Sequence, residues 1–261
     1  MPANYAHYRF GVAMLGKMPG DIARTVKRFR WLYDMGLHGP DLFYYHNPLL
    51  QTKVGALGSR FHKQTGQEFF GRVCRGLRLN PTEAGQAYLY GLLCHYALDS
   101  LCHPFLHRAA REARLSHLRI EGEFDRFLLE TDGKTPPHTQ NLSLHIRLTP
   151  GECETVAKFY PPATAAQIRD CVRNMAAITK LFSAPEGTAR AALQKGVQFA
   201  AKDAADRMIP SAPDSRCAHL NGPLLDLYRQ AEERFPTMLT QLSAHMTYNA
   251  ALGEEFLETF G

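Results

Sequence analysis

No apolar stretch in this sequence is long enough to cross a bilayer, which takes about 20 residues. The richest run, Ala87 to Cys94, is short and leads straight into His95 and Asp99. The N-terminus, Met1-Pro2-Ala3-Asn4-Tyr5, lacks the basic-then-apolar pattern of a secretory signal. The expectation is therefore a cytoplasmic protein with no transmembrane segment. Six cysteines are scattered without a CxxC pair, which fits reduced thiols better than a disulfide framework. Strand patterns are nearly absent, as are repeats, low-complexity tracts and linkers, so all-β and repeat architectures are excluded.

What is present is ordinary globular composition with one excess. Hydrophobic residues make up 45% and charged residues 21% of 261 positions, enough to bury a sizeable core. A net charge of +5 suits an anionic substrate, or peripheral contact with an anionic surface, without requiring nucleic acid. Arginines recur at helical spacing (Arg72, Arg75, Arg78; Arg108, Arg111, Arg114), a pattern that reads first as solvated helix faces. The excess is histidine. There are twelve, eight of them before residue 118, which puts the chemistry in the first half.

Apolar periodicity predicts helices over residues 4–16 and 21–35. A loop follows at 36–48, where Gly39-Pro40-Asp41 sets an acid among Phe43, Tyr44 and Tyr45. A helix is predicted again over 50–77. Asn80, Pro81 and Glu83 read as a capped start of the next helix, apolar on nearly every face through Leu98 and ending or bending near Pro104. Ser116 reads as the cap of a helix to about Glu130, and 131–148 as a polar loop. Thr149 reads as another cap, and further helices are predicted over 164–182, 186–208 and 223–258, broken between Pro210 and Pro223. The reading is one all-α domain of several helices spanning 1–261.

The sharpest signal is His95-Tyr-Ala-Leu-Asp99-Ser-Leu-Cys-His103. Its ionisable groups at i, i+4 and i+8 fall along one stripe of an apolar helix. Burying a carboxylate and two imidazoles costs several kcal/mol unless a charge compensates, and a divalent ion such as zinc does so. For a single His–Asp pair a structural hydrogen bond would be the better explanation; three groups favour metal. His117-Leu-Arg-Ile-Glu121 adds a second His and carboxylate at i, i+4. Asp125, one turn on, is a supporting group or a surface charge.

These elements in order, with His7-Tyr-Arg-Phe-Gly11, Gly39-Pro-Asp41-Leu-Phe and the isolated His62, resemble the bacterial zinc-dependent phospholipase C family over about residues 1–130. The resemblance implies an all-α fold of the zinc-dependent phospholipase C and single-strand nuclease type, with a cleft holding two or three zinc ions. It implies one site made of Asp41, His62, His95 and Asp99, and a second of His103, His117 and Glu121. A third would use His7 and Asp99 with the N-terminal residue. Here Met1-Pro2 stands where the family has a tryptophan, and His103 precedes Pro104 whereas His107 follows it. His103 is preferred over His107 because it continues the Asp99 stripe.

Clustered zinc suits phosphate-ester hydrolysis, and the resemblance implies a phosphodiesterase acting on phospholipids or their headgroup esters. Asp41 is the candidate catalytic carboxylate, orienting or deprotonating the attacking water as well as binding metal. Two other readings compete. A zinc-dependent nuclease would show aromatic platforms along a basic groove, and none stands out, which disfavours nucleic acid. A non-enzymatic, metal-stabilised binding protein would have filled metal sites and no open cleft.

Overall fold

The computed structural model describes residues 4–48, 50–183, 187–188, 190–192, 195–196 and 204–261. Among them the chain is all-α, and the sole extended pairing is an isolated bridge between Thr65 and Thr259. No described helix is long and apolar enough to cross a membrane.

The first predicted helix is α1 (Asn4–Leu15). The second is two, α2 (Gly20–Arg28) and α3 (Arg30–Gly36), because Phe29 leaves helical geometry at φ −115° and ψ 46°. The 36–48 loop is more ordered than expected: Gly39–Tyr45 forms a 3-10 turn and is almost wholly buried. The 50–77 helix also divides, into α4 (Gly55–His62) and α5 (Gly66–Leu79). Thr65 and Glu68 form a reciprocal capping box at the division.

The central helix α6 (Glu83–Ala113) starts later and ends later than expected. Thr82, rather than Asn80, supplies the cap by accepting from the Gly85 N–H. Pro104 does not end it. A proline in a helix interior forgoes one backbone bond and costs about 3 kcal/mol. Here α6 is enclosed by α1, α2, α3 and the long C-terminal helix, and burial from Gly85 to His103 outweighs that cost.

Ser116 caps α7 (His117–Thr131) as expected, and Thr149 and Thr164 cap α8 (Pro150–Ala157) and α9 (Ala165–Phe182). About half of the predicted 186–208 helix lies outside the described residues; the described residues 188, 190–192 and 195–196 are helical, and Ala204–Arg207 is a 3-10 turn. The last helix, α10 (Asn221–Tyr248), runs through Pro236 and stops at Asn249, ten residues or so before the expected end. Asn249 takes a left-handed conformation (φ 56°) that asparagine tolerates. The remaining tail returns to the molecule's centre as a strap.

Two contacts set up the site. A Cβ on Gly36 would strike the Tyr88 carbonyl, and one on Gly91 would strike that of Tyr33, so α3 and α6 pack backbone to backbone. This close approach lays the turn after α3 against the histidine stripe. The first arginine stripe is partly structural: Arg72 donates to the Phe159 carbonyl (3.0 Å) and Arg78 to the His245 carbonyl (2.6 Å), whereas Arg75 is exposed.

Candidate metal centre and cleft

Asp99, 1% exposed, is the hub. Its Oδ1 lies 3.2 Å from His7 Nε2 on α1. Its Oδ2 lies 3.1 Å from His95 Nε2 and 3.3 Å from His103 Nε2, one turn either side on α6. From the 3-10 turn Asp41 brings Oδ1 to 3.0 Å from His62 Nε2, at the end of α4. Two sets of ligand atoms result, His7/His95/Asp99 and Asp41/His62/His95, each with all atoms within 4.8 Å of one another. Gly39 is required for this arrangement. Its φ is +49°, and a side chain there would enter the His95 ring.

The His95 and His103 contacts with Asp99 Oδ2 are close without being aligned as hydrogen bonds. His62 Nε2, His95 Nε2, His103 Nε2 and Asp99 Oδ2 are all buried and have no hydrogen-bond partner. Both oxygens of Glu121, 2% exposed, are likewise unsatisfied. Such a density of orphaned polar atoms is costly unless something fills their lone pairs. Tetrahedral zinc with bonds of about 2.0–2.2 Å spaces its ligand atoms roughly 3.3–3.6 Å apart. The separations of 3.0–3.3 Å in the Asp99 and Asp41 contacts are close to that spacing. The donor set therefore fits zinc.

Backbone carbonyls orient two of the rings. His62 Nδ1 meets the Gly58 carbonyl at 2.8 Å and His95 Nδ1 meets that of Leu37 at 3.2 Å. Each Nδ1–H donates outward, leaving Nε2 as the inward lone pair, the arrangement typical of metal-binding histidine. The electrostatics agree. Burial lowers the pKa of His95, keeping it neutral. Burial would raise Asp99, but the imidazoles of His95, His103 and His7 hold it well below the usual carboxylate range. Asp41 is also held low, the effect of burial being outweighed by its contact with His62 and by the electrostatic influence of its neighbours. Glu121 is pushed well up by burial.

The expected second set is only partly assembled. His103, His117 and Glu121 do not converge to within 4.8 Å among the described residues. His103 instead leans on Asp99, with Gly261 against its ring. His107 is exposed on α6, its ring 5.4 Å from that of His103 and 5.8 Å from that of His117. The three imidazoles thus share one wall of a cleft of about 480 Å³, whose floor includes His62.

Several neighbours from distant parts of the chain complete the site. Asp125 is no surface charge. It is 2% exposed and accepts from the N–H groups of Tyr5 (3.0 Å) and Ala6 (2.8 Å), anchoring the start of α1 next to His7. The tail is tied by the Gly66 N–H to the Glu258 carbonyl (2.9 Å) and by the Gly261 N–H to the His62 carbonyl (3.2 Å). Between them the fully buried Phe260 sets its ring 6.3 Å from His62 and 6.1 Å from His95. Phe43 and Tyr45 are buried in the core, and Tyr44 lines the cleft.

A family profile described as zinc dependent phospholipase C matches residues 14–161, more than half of the chain. The chain belongs to the zinc-dependent phospholipase C family. The family match spans Asp41, His62, His95, Asp99, His103, His117 and Glu121, and leaves His7 just outside it. It extends past residue 130, through α8. No curated protein and no solved structure matches the chain.

Proposed function

We propose that this family member is a zinc-dependent phosphodiester hydrolase of phospholipase C type, acting on phospholipids or their headgroup esters. The observation that carries the reading is the open cleft above a buried set of unsatisfied histidine and carboxylate atoms. A purely structural metal site has its ligands closed around the ion, whereas a catalytic one keeps access for substrate. His7, Asp41, His62, His95 and Asp99 would hold the ions, with His103, His117 and Glu121 as further candidate ligands. Bound zinc would neutralise the phosphoryl oxygens and lower the pKa of a coordinated water to about 7.

The chain's own contribution is positioning and proton transfer. Asp41, held below the usual carboxylate range and so ionised, is suited to accept the proton of the attacking water. Water adds to phosphorus, the P–O bond to the lipid alcohol breaks, and the alkoxide takes up the proton that Asp41 removed from the water, leaving as the neutral alcohol. The buried positions of Asp41 and His62 keep both groups aligned before substrate arrives. Tyr44 is the single Phe, Tyr or Trp among the described cleft-lining residues, which gives little support to a single-strand nuclease with its stacking platforms.

Asp41→Asn removes the charge but keeps an oxygen ligand. Turnover of short-chain phospholipids and of a generic phosphodiester should fall by two orders of magnitude or more, about the range of a lost general base, while some zinc stays bound. Full activity in that variant removes Asp41 from the mechanism. Zinc-loaded wild type inactive on phospholipid, headgroup-ester and nucleic-acid substrates alike would overturn the enzymatic reading in favour of a binding protein.

A further inference from the structure

The walls of the cleft say more about the substrate than its floor does. Above the buried cluster the described lining residues include Lys63 and Arg207, the hydroxyls of Tyr44 and Ser59, and His107 and His117, and no carboxylate side chain. Lys63, just past the end of α4, is exposed and forms no ion pair among the described residues. Arg207 closes the 3-10 turn before Met208 and lies across the cleft's rim, its guanidinium 5.5 Å from the Tyr45 ring centroid. Its Nε is buried and has no hydrogen-bond partner, and it too forms no ion pair among the described residues. Its charge is felt at Tyr44 on one side and His117 on the other.

A site that reads a choline or ethanolamine headgroup needs a carboxylate or a cage of several aromatic rings to receive the ammonium. This cleft offers one ring, Tyr44, and two cationic side chains, with no carboxylate side chain among its described lining residues. An ammonium group entering it would be repelled, by an amount that is large where water is partly excluded. An anionic or hydroxyl-bearing headgroup would instead find a guanidinium and two hydroxyls that already touch each other (Tyr44 Oη to Ser59 Oγ, 3.4 Å).

Resting on the phosphodiesterase reading above, we propose that Arg207 and Lys63 form a headgroup-selecting wall that admits phosphodiesters with glycerol-like or anionic headgroups and rejects those bearing an ammonium group. Arg207 is the principal selecting residue, because stacking on Tyr45 fixes its direction, and Lys63 adds longer-range attraction.

The test compares short-chain phosphatidylglycerol with short-chain phosphatidylcholine, both as monomers, on the zinc-loaded full chain. Wild type should favour the glycerol ester in kcat/KM by about tenfold or more, the scale of one differential charge contact. Arg207→Gln should bring that ratio close to one, Lys63→Gln should lower it less, and Arg207→Lys should largely keep it. Equal use of the two esters, a preference for choline, or an unchanged ratio in Arg207→Gln would overturn the proposal. Calorimetric binding of glycerol 1-phosphate and phosphocholine is measured in parallel. If no ester is hydrolysed, the phosphodiesterase reading fails on its own. Tighter binding of glycerol 1-phosphate, lost in Arg207→Gln, would still support the wall, and equal affinities would sink it.

Discussion

Asp125 on α7 receives the Tyr5 N–H at 3.0 Å and so fixes where α1 begins, two residues before His7 turns towards Asp99. The first N–H groups of a helix have no partner within it, and a side-chain carboxylate can satisfy them from a distant element. Asp125→Ala leaves the buried N–H groups of Tyr5 and Ala6 without their acceptor. The expected cost is about 1–3 kcal/mol of unfolding free energy, with weaker zinc binding at the His7 side. Urea unfolding of the chelated protein measures the first effect, and zinc titration the second. Loss of stability with unaltered zinc affinity would mean His7 is held in place by its other neighbours.

The strap makes a separate claim. Phe260 is fully buried against Tyr96, 4.8 Å between ring centroids, and against Phe69, at 5.2 Å. Phe260→Ala should cost about 3–5 kcal/mol, the usual range for emptying an aromatic site in a core. Because the ring also backs His62 and His95, zinc should dissociate faster from the variant. Chemical unfolding and a chelator-competition rate check the two parts. A change below about 1 kcal/mol would show that the tail is not part of the folded core.

The two kinds of residue differ in how well the sequence reveals them. His95, Asp99 and His103 were legible because helical spacing alone puts them on one stripe, and nothing apolar explains them. The divisions at Phe29 and at 63–65 were partly legible. Thr65 and Glu68 have the spacing of a capping box, whereas Phe29 carries no breaking signal. Pro104 misled because a local penalty of a few kcal/mol is decided by packing, which the sequence does not display. Arg207 and Phe260 act across separations of 100 residues or more, so no local pattern marks them; Asp125 stood out one turn beyond Glu121, but its partners Tyr5 and Ala6, 119 to 120 residues away, did not. Phe260 meets Tyr96, for instance, only because the tail doubles back.

A buried histidine pair beside the metal cluster predicts acid sensitivity. His145 Nε2 lies 2.8 Å from His38 Nε2, and Tyr8 stacks on His145 with ring centroids 4.1 Å apart. Burial, with the Arg30 charge second, pushes the His145 pKa down to about 3. Its pKa in the unfolded chain is about 6.5, so below that pH the unfolded state binds a proton that the folded state refuses. The stability contribution is thus full above about pH 6.5 and is lost as pH falls towards 3, with a slope of up to about 1.4 kcal/mol per pH unit. His145→Gln should flatten the decline between pH 6.5 and 4 in chelated protein, followed by urea unfolding at each pH. An unchanged slope would contradict the assignment.

The central claim is that the buried atoms around Asp99 exist to hold divalent metal. Elemental analysis of the chain purified without chelator, alongside Asp99→Ala, tests it most directly. The account predicts at least two tightly held zinc ions per wild-type chain, fewer in Asp99→Ala, and a lower melting temperature on chelation that added zinc restores. Well under one ion per chain, with a melting curve indifferent to added zinc, would contradict it.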